Sequence, residues 1–192
     1  MRVIGGRFGG LTLYGPKGLE TRPTSDRARE ALFNILGAKV TGARFLDMYA
    51  GTGAVGIEAL SRGAAAVTMV ESASVELIRK NLARLPHSAG AQLTHVIRGG
   101  VEQAARTLRQ RGERYDIIFA DPPWDAGLEG ETLRAAAPLL EEEGVLILEA
   151  RHKTAAPSPE GILDAHGTPL TLSQSRRYGD TVFHFYRTGR AV

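Results

Sequence analysis

A chain of 192 residues, 43% hydrophobic and 23% charged, has the composition of an ordinary globular protein with one domain, or one domain and a small appendage. Because it contains no cysteine, disulfides, thiolate nucleophiles and cysteine-based metal sites are excluded. Its five histidines form no close ligand pair, so we expect no metal. No apolar run approaches the roughly 18 residues of a membrane span, and Met1-Arg2-Val3 does not open a signal peptide. We therefore expect a cytoplasmic protein.

The net charge of +3 is unevenly distributed along the chain. Residues 1–44 carry eight Lys or Arg against three Asp or Glu, and residues 176–192 carry four against one. Residues 45–175 carry twelve against seventeen. Two basic ends that flank an acidic body suit a polyanionic partner, whose counterions are released on binding. Solvated surface arginines would explain the same pattern if no other motif pointed to such a partner.

The first residues predict a short glycine-rich hairpin. Val3-Ile4 and Leu11-Thr12-Leu13 are separated by two Gly-Gly pairs, which places Arg7 near the tip of the hairpin.

A helix is predicted next, with Thr24 or Ser25 as its cap and Gly37 at its end. Its apolar residues follow helical spacing: Ala28, Leu32, Ile35 and Leu36. Arg27 and Arg29 are then expected to project away from this apolar stripe.

From Ala43 onward, predicted strands and helices alternate. The predicted strands are 43–48, 66–71, 92–98, 115–120 and 144–149, and the predicted helices are 54–62, 74–84, 101–111 and 129–140. Such alternation indicates a parallel sheet with helices on both faces, which binds ligands at the carboxyl ends of its strands. Residues 154–160 then predict a loop in place of a helix, and residues 170–172 and 181–186 predict two final antiparallel strands.

A glycine turn follows the first strand of this alternation. The glycine spacing of dinucleotide folds is matched by Gly51, Gly53 and Gly56, and Glu71 lies 20 residues after Gly51. An enzyme that binds a nicotinamide dinucleotide is therefore one interpretation of this turn. Asp47 argues against it, because a carboxylate beside the turn would repel a pyrophosphate but would suit a cationic ligand such as S-adenosylmethionine. The alternative for Asp47 is a helix-capping or turn carboxylate.

Asp121-Pro122-Pro123-Trp124 directly follows the predicted strand 115–120. The two prolines lack backbone donors, so this segment is rich in acceptors, with a carboxylate before it and a flat ring after it. These groups suit the exocyclic amino group of a nucleobase, whose N–H bonds need acceptors and whose ring needs a stacking surface. The alternative is a strand-ending turn with a buried tryptophan. Together with the glycine turn, the motif favours a methyltransferase.

Glycine turn, acidic strand end and D-P-P-W, in this order, resemble the Rossmann-like, S-adenosylmethionine-dependent amino-methyltransferases. Residues 2–6, 22–30 and 177–181 are similar to the bacterial 16S ribosomal RNA guanine(966)-N2 methyltransferases, and the resemblance extends from Arg2 to about Arg187. It implies an α/β class I methyltransferase fold, with a mostly parallel seven-stranded sheet, helices on both faces and a small N-terminal β-hairpin extension. Residues 1–40 would be a basic, RNA-contacting extension, and residues 41–188 the methyltransferase domain.

Residues and resemblance together predict the site. The predicted cofactor-binding residues are Asp47, Ala50, Gly51, Thr52, Gly53, Glu71, Ser72, Val101 and Asp121. Glu71 would accept from the ribose hydroxyls, and Ser72 and Val101 would flank the adenine. Gly99-Gly100 replaces the acid that related enzymes often carry there, which leaves the adenine amino group to backbone atoms or Glu102. The predicted catalytic residues are Asp121, Pro122 and Trp124.

The predicted partner is 16S ribosomal RNA, within the small ribosomal subunit or an assembly intermediate, bound by a monomer. The predicted RNA-binding residues are Arg2, Arg7, Arg22, Arg27, Arg29, Arg176 and Arg177. One alternative is a DNA N6-adenine or N4-cytosine methyltransferase, which shares the D-P-P-W chemistry but for which 192 residues leave little room for a target-recognition domain. The other is a non-catalytic RNA-binding assembly factor, which Asp47, Glu71 and Asp121 disfavour.

Overall fold

In a computed structural model, the chain is described over residues 1–15, 25–86 and 93–188. It divides into two units, residues 1–99 and residues 100–192. Within the described residues, no helix is long and apolar enough to cross a membrane. Arg22, the alternative cap Thr24 and the predicted start of a strand at residue 92 lie outside the described residues.

The first unit is built on three parallel strands in the order β3-β2-β1. In chain order its elements are α1 (Asp26–Leu36), β1 (Arg44–Met48), α2 (Ala54–Ser61), β2 (Ala66–Glu71), α3 (Val75–Leu82) and β3 (Thr94–Arg98). β1 and β2 are almost continuously buried, as expected for parallel strands covered by helices. Because Met48 pairs with Val70, the residues that follow β1 lie beside Glu71 at the end of β2.

The predicted N-terminal hairpin is present, and it is hydrogen-bonded to α2. Val3 N donates to Leu11 O at 2.9 Å, around a short 3-10 turn at Gly6–Phe8. The buried Glu58 carboxylate of α2 accepts from Ile4 N at 2.7 Å and from Gly5 N at 2.9 Å. A carboxylate with these backbone donors is well satisfied, so the hairpin lies in a fixed position on the helix.

Ser25 caps α1, since its hydroxyl accepts from Ala28 N at 3.2 Å, and Arg27 is exposed as predicted. The expectation that Arg29 projects outward is wrong, because this residue is 0% exposed. Its guanidinium donates to Asp26 Oδ1 at 2.9 Å, and its Nε lies 3.9 Å from Glu58 Oε2. A buried carboxylate requires a cation nearby: Arg62 Nε donates to Glu58 Oε1 at 2.7 Å, and Arg29 adds a second, more distant positive charge.

The second unit is built on four strands in the order β4-β5-β7-β6. In chain order its elements are α4 (Val101–Gln110), β4 (Tyr115–Ala120), α5 (Glu129–Ala136), β5 (Leu140–Arg151), β6 (Leu170–Tyr178) and β7 (Thr181–Thr188). β4 and β5 are parallel, whereas β7 runs antiparallel to both of its neighbours. Residues 152–169, all described, contain no helix, which confirms the predicted loop.

The predicted helix 129–140 is too long, and the predicted strand 144–149 is too short. α5 ends at Ala136, a 3-10 turn covers Ala137–Leu139, and β5 begins at Leu140. Pro138 accounts for the early end, because a proline inside a helix removes a hydrogen bond and clashes with the preceding turn.

Candidate active site

The glycine loop, residues 49–53, connects β1 to α2 with an unusual backbone. Tyr49, Gly51 and Gly53 all have positive φ, at 62°, 55° and 77°. Glycine adopts such angles without strain, whereas a tyrosine there is an outlier that the surrounding structure must hold in place. The loop therefore has a definite shape of the kind that functional loops show.

The three glycines of the motif have different surroundings. A Cβ at Gly56 would lie 3.0 Å from Met69 and Val67 side-chain atoms, and one at Gly53 would lie 3.2 Å from Ile78 and Met69. These two glycines allow α2 to pack closely on the sheet. Among the residues that the structure describes, a Cβ at Gly51 would meet only the Tyr49 carbonyl, at 4.0 Å. Gly51 therefore borders open space, and it is the part of the loop that a ligand could approach.

Asp47 lies beneath this loop and holds the start of α2. Its side chain is 1% exposed, and its Oδ2 accepts from Gly56 N, the third residue of the helix, at 2.9 Å. The hydrogen bond from Gly56 N thus shows that Asp47 caps a helix, which was the alternative interpretation of this residue. A direct contact between Asp47 and a cationic ligand stays a prediction.

Glu71 joins the glycine loop to the beginning of α3. Its Oε2 accepts from Gly51 N at 2.7 Å, and its Oε1 accepts from Ala73 N at 2.8 Å and Ser74 N at 3.2 Å. A carboxylate has about four acceptor positions, so the bonds that Glu71 makes within the described part of the chain leave one position, on Oε2. It lies beside Gly51, where a ribose hydroxyl could donate to it, and the loop thus fits an adenosyl ligand.

Asn81 is a loop-holding residue that the sequence analysis missed. It is 0% exposed, its Nδ2 donates to Thr52 O at 2.9 Å and to Tyr14 O at 3.1 Å, and its Oδ1 accepts from Tyr14 N at 2.7 Å. One buried amide therefore ties the N-terminal segment to the glycine loop. The sequence did contain a sign of this role: Asn81 is a polar residue on the otherwise apolar, buried stripe of α3, three residues after Ile78.

The remaining predicted cofactor-binding residues lie in the segments that follow the strands, and they differ in how far they are exposed. Ala50 and Thr52 are each 8% exposed, and Ser72 is exposed just beyond β2. Val101 begins α4 and is nearly buried. At the end of β3, Gly99 N donates to the Glu71 carbonyl at 3.1 Å. Among the described residues, no group of three or more His, Cys, Asp or Glu could hold a metal ion.

The D-P-P-W loop, residues 121–125, follows β4 in the second unit. Asp121 and Trp124 are half-buried, Pro122 is buried and Pro123 is exposed. Asp125 has a φ of 64°, a positive value that aspartate tolerates better than most residues. The alternative of a strand-ending turn with a buried tryptophan does not hold in its second part, since Trp124 is only half-buried.

Arg151, at the end of β5, contacts this loop and was also missed from the sequence. Its guanidinium carbon lies 5.4 Å from the centroid of the Trp124 ring, and its Nη1 lies 3.1 Å from Asp125 Oδ2. No local pattern marks Arg151, because its position depends on the register of β5 against β4.

Six of the seven predicted RNA-binding arginines are described; five of them are exposed and one is buried. Arg2, Arg7 and Arg27 are exposed in the first unit. Arg176 and Arg177 are exposed near the end of β6, opposite Phe183 and Val182 of β7. Arg29 is buried and is not available to a phosphate.

Known proteins resemble the chain over most of its length. The model of a family described as "Conserved hypothetical protein 95" matches residues 1–187. The "Ribosomal RNA small subunit methyltransferase D" of Escherichia coli K12 is 42% identical over 153 residues, which cover 78% of this chain and 71% of that protein. "Putative rRNA methyltransferase YlbH" of Bacillus subtilis is 33% identical over 195 residues, 97% of this chain and 98% of that protein.

A solved structure is similar over the same extent. That of the "Putative methyltransferase yhhF" from Escherichia coli covers 98% of this chain and 97% of its own, with a TM-score of 0.75 and 33% identity. The fold and the site thus define a protein of the Rossmann-like class I methyltransferase fold, which confirms the predicted fold class.

Within this class, the chain belongs to the family of the ribosomal RNA small subunit methyltransferase D proteins, as the family model and the two relatives show. The resemblance stated from the sequence is confirmed at the level of the family.

Proposed function

We propose that this protein transfers a methyl group from S-adenosylmethionine to the N2 amino group of a guanine in 16S ribosomal RNA, guanine 966 by family resemblance. The names of the relatives support ribosomal RNA as the substrate. The observation that carries the proposal is the bonding of the glycine loop and the first turn of α2, in which protein carboxylates accept from Gly51 N and Gly56 N.

This bonding favours S-adenosylmethionine over a dinucleotide. In dinucleotide folds, the start of the helix after the glycine turn faces the pyrophosphate. Here the buried Asp47 carboxylate already takes an N–H of the first turn of α2, and its charge opposes a second anion. A sulfonium and an ammonium are compatible with the same charge, and Glu71 keeps an acceptor position for the ribose.

S-adenosylmethionine supplies an activated methyl group when bound, so the main task of the protein is to orient the nucleophile. The N2 lone pair of guanine is conjugated with the ring and is a poor nucleophile. Asp121 Oδ and the Pro122 carbonyl accept hydrogen bonds from the two N2 hydrogens, which draws this nitrogen toward tetrahedral geometry. The new bond from N2 to the methyl carbon replaces the bond of that carbon to the sulfonium sulfur, and N2 then releases one proton to Asp121 or to water. Trp124 stacks on the base, a contact worth about 1–3 kcal/mol in single-strand binders.

The substrate strand must present an unpaired guanine. N2 cannot reach the Asp121 and Pro122 acceptors from within a paired helix, so the target lies in a loop or is extruded. The exposed arginines of the two basic ends hold the phosphates around it. In this proposal the protein acts as a cytoplasmic monomer on the small subunit or on an assembly intermediate.

Labelled methyl transfer tests the proposal. Purified protein is incubated with labelled S-adenosylmethionine and either small subunits that lack the modification, naked 16S RNA or DNA, and the product nucleosides are identified. We expect label in N2-methylguanosine. Label in N6-methyladenine or N4-methylcytosine of DNA would establish the DNA methyltransferase alternative. Cofactor binding without transfer to any substrate would favour the assembly-factor alternative.

A further inference from the structure

Arg151 makes two contacts with the D-P-P-W loop, and both involve residues that follow the catalytic Asp-Pro-Pro. Its guanidinium carbon lies 5.4 Å from the Trp124 ring centroid, and its Nη1 lies 3.1 and 3.3 Å from the two Asp125 carboxylate oxygens. We propose that Arg151 is a positioning residue for methyl transfer, which fixes the Trp124 ring as the stacking surface for the target base. The inference rests on the proposed function, because the base is the guanine assigned above.

The register of the sheet explains why Arg151 reaches this loop. β4 ends at Ala120, which pairs with Leu148 of β5, whereas β5 continues for three more residues to Arg151. Beyond Leu148, β5 keeps its pairing with β7, and Arg151 itself pairs with Thr181. The support of β7 on this edge therefore extends β5 past the end of β4 and carries Arg151 to the height of the D-P-P-W loop.

The two contacts are suited to orienting a ring and add little to folding stability. The side chain of Arg151 is 47% exposed and that of Asp125 is 69% exposed, so water screens their ion pair. A guanidinium is planar and weakly hydrated, and it stacks on aromatic faces in a way that an ammonium does not. With Arg151 over one face of Trp124, the target base stacks on the other face.

Asp125 completes this arrangement. Its φ of 64° lies in a region that non-glycine residues seldom occupy, so the backbone after Trp124 is held in a specific turn. The ion pair with Arg151 links this turn to β5. Arg151 thereby fixes both the ring of Trp124 and the backbone that follows it.

Trp124 is the only tryptophan of the chain, so fluorescence excited at the red edge of the absorption band, where the five tyrosines hardly absorb, reports on this ring alone. Three variants separate the contacts. Arg151→Gln removes both, Arg151→Lys keeps the charge without the planar group, and Asp125→Asn removes the ion pair while keeping a residue that tolerates positive φ. Arg79→Gln is the matched control, since it breaks the exposed 2.9 Å pair with Glu76 in the first unit.

We expect Arg151→Gln to raise acrylamide quenching of Trp124 and to lower its anisotropy, with a smaller change in Arg151→Lys and Asp125→Asn and none in the control. The KM for the RNA substrate should rise about 5- to 30-fold in Arg151→Gln, the factor that corresponds to the removal of two weak interactions. The turnover number, the affinity for S-adenosylmethionine and the melting temperature should stay near those of the wild type. If Arg151 only stabilised the fold, Arg151→Gln would lower the turnover number, the affinity for S-adenosylmethionine and the melting temperature together.

Unchanged quenching and anisotropy in Arg151→Gln would overturn the inference, as would an unchanged KM. A lower KM in that variant would also overturn it, because the guanidinium would then compete with the base for the ring. In each of these cases wild-type methylation of RNA stands, so the proposed function survives. If the wild type does not methylate RNA, the proposed function fails, and the fluorescence of the variants still decides whether Arg151 holds Trp124.

Discussion

The glycine loop and the D-P-P-W loop are held in opposite ways. Buried groups fix the glycine loop and the helix that follows it: the Asn81 amide, which is 0% exposed, donates to Thr52 O, and the Asp47 carboxylate, which is 1% exposed, accepts from Gly56 N in α2. The turn after Trp124 is held by Arg151, whose side chain is about half exposed. Hydrogen bonds in a buried setting resist rearrangement, whereas exposed ion pairs are screened and weak.

This difference corresponds to two kinds of ligand. A small cofactor gains affinity from a binding loop that is already in its bound shape, because little ordering remains when the ligand arrives. A nucleotide of a large RNA must be extruded and accommodated, so weak contacts around its stacking surface allow adjustment. The contrast predicts that substitutions in the first loop alter cofactor binding, and that substitutions in the second alter methyl transfer.

Asp121→Ala tests this separation most directly. Removal of a group that orients the reacting amine in the transition state should lower the turnover number by about 10²–10³-fold, by comparison with the loss of one oxyanion-hole donor. Binding of S-adenosylmethionine, measured by calorimetry, should change little, and the circular dichroism should match that of the wild type.

Asp121→Asn serves as the matched control, because it keeps the shape and one acceptor oxygen while it removes the charge. Its turnover should lie between those of Asp121→Ala and the wild type. Near-normal turnover in Asp121→Ala would remove Asp121 from the catalytic assignment.

Glu71→Ala should produce the next largest effect, on the cofactor side. The affinity for S-adenosylmethionine should fall by roughly 1.5–3 kcal/mol, the scale of hydrogen bonds to a charged group. The carboxylate also holds Gly51 N, so the variant loosens the loop as well as losing an acceptor.

The matched control for Glu71 is Glu76→Ala, an exposed carboxylate in the first turn of α3 that pairs with Arg79 and Arg98. It should leave the affinity unchanged. The wild type should not bind NAD in the same calorimeter cell. NAD binding with no response to S-adenosylmethionine would reverse the choice between the two interpretations of the glycine turn.

Local patterns predicted the elements that carry both loops. The bounds of β2 (Ala66–Glu71) and β4 (Tyr115–Ala120) agree with the predicted strands, because each is an apolar run between clear turn signals. The end of α5 is also marked in the sequence by Pro138, which outweighs the helical spacing that continues beyond it. The positions of Glu71 at the end of β2 and of Asp121 directly after β4 agree with the same patterns, and their chemical roles stay predictions.

The residues that local patterns could not place depend on partners far along the chain. Arg29 is buried although its helical position looks solvent-facing: its guanidinium donates to Arg2 O, 27 residues earlier, and lies 3.9 Å from Glu58, 29 residues later. Asn81 bonds to Tyr14, 67 residues earlier, and Arg151 reaches Trp124 only through the register of β5. Pairings of this kind are set by tertiary packing, which overrides local preference.

The basic N-terminal end is tested by reversing Arg7, Arg22 and Arg27 to Glu, together and singly. Arg7 and Arg27 are exposed, and Arg22 lies outside the described residues. RNA binding should weaken, and the slope of log affinity against log salt should become shallower by about 2, near 0.7 for each single-strand phosphate that the protein no longer neutralises. S-adenosylmethionine binding should survive.

A triple reversal in α4 and just after it provides the control, because it changes the net charge equally at exposed positions with no assigned role: Arg106, Arg109 and Arg111. This variant should keep most of the wild-type salt slope. Equal losses in both triple variants would show that net charge alone attracts the RNA. An unchanged KM at every salt concentration in the N-terminal variant would mean that other residues bind it.

The smallest expected effect is on the pH dependence of stability, and it comes from His184 of β7. It tests whether the exposed contacts of the second unit are confined to the D-P-P-W loop. This histidine is an interior residue of the second unit: it is 4% exposed, and its Nδ1 lies 2.8 Å from Ser175 Oγ on β6. Burial lowers the pKa of His184 below its usual range, and a weaker interaction with the Thr154 backbone acts in the opposite direction.

The unfolded chain therefore binds the His184 proton at a higher pH than the folded chain does. The free energy of unfolding should be fully supported above the unfolded pKa of about 6.5, and should fall as the pH drops from there toward the folded pKa. One proton accounts for at most about 1.4 kcal/mol for each pH unit crossed. Chemical denaturation between pH 7.5 and 5.5 should show a shallower decline for His184→Gln than for the wild type. The exposed His95→Gln should follow the wild type. Parallel declines in all three proteins would mean that His184 titrates alike in the folded and unfolded chains, and that this part of the second unit admits water as freely as the loop does.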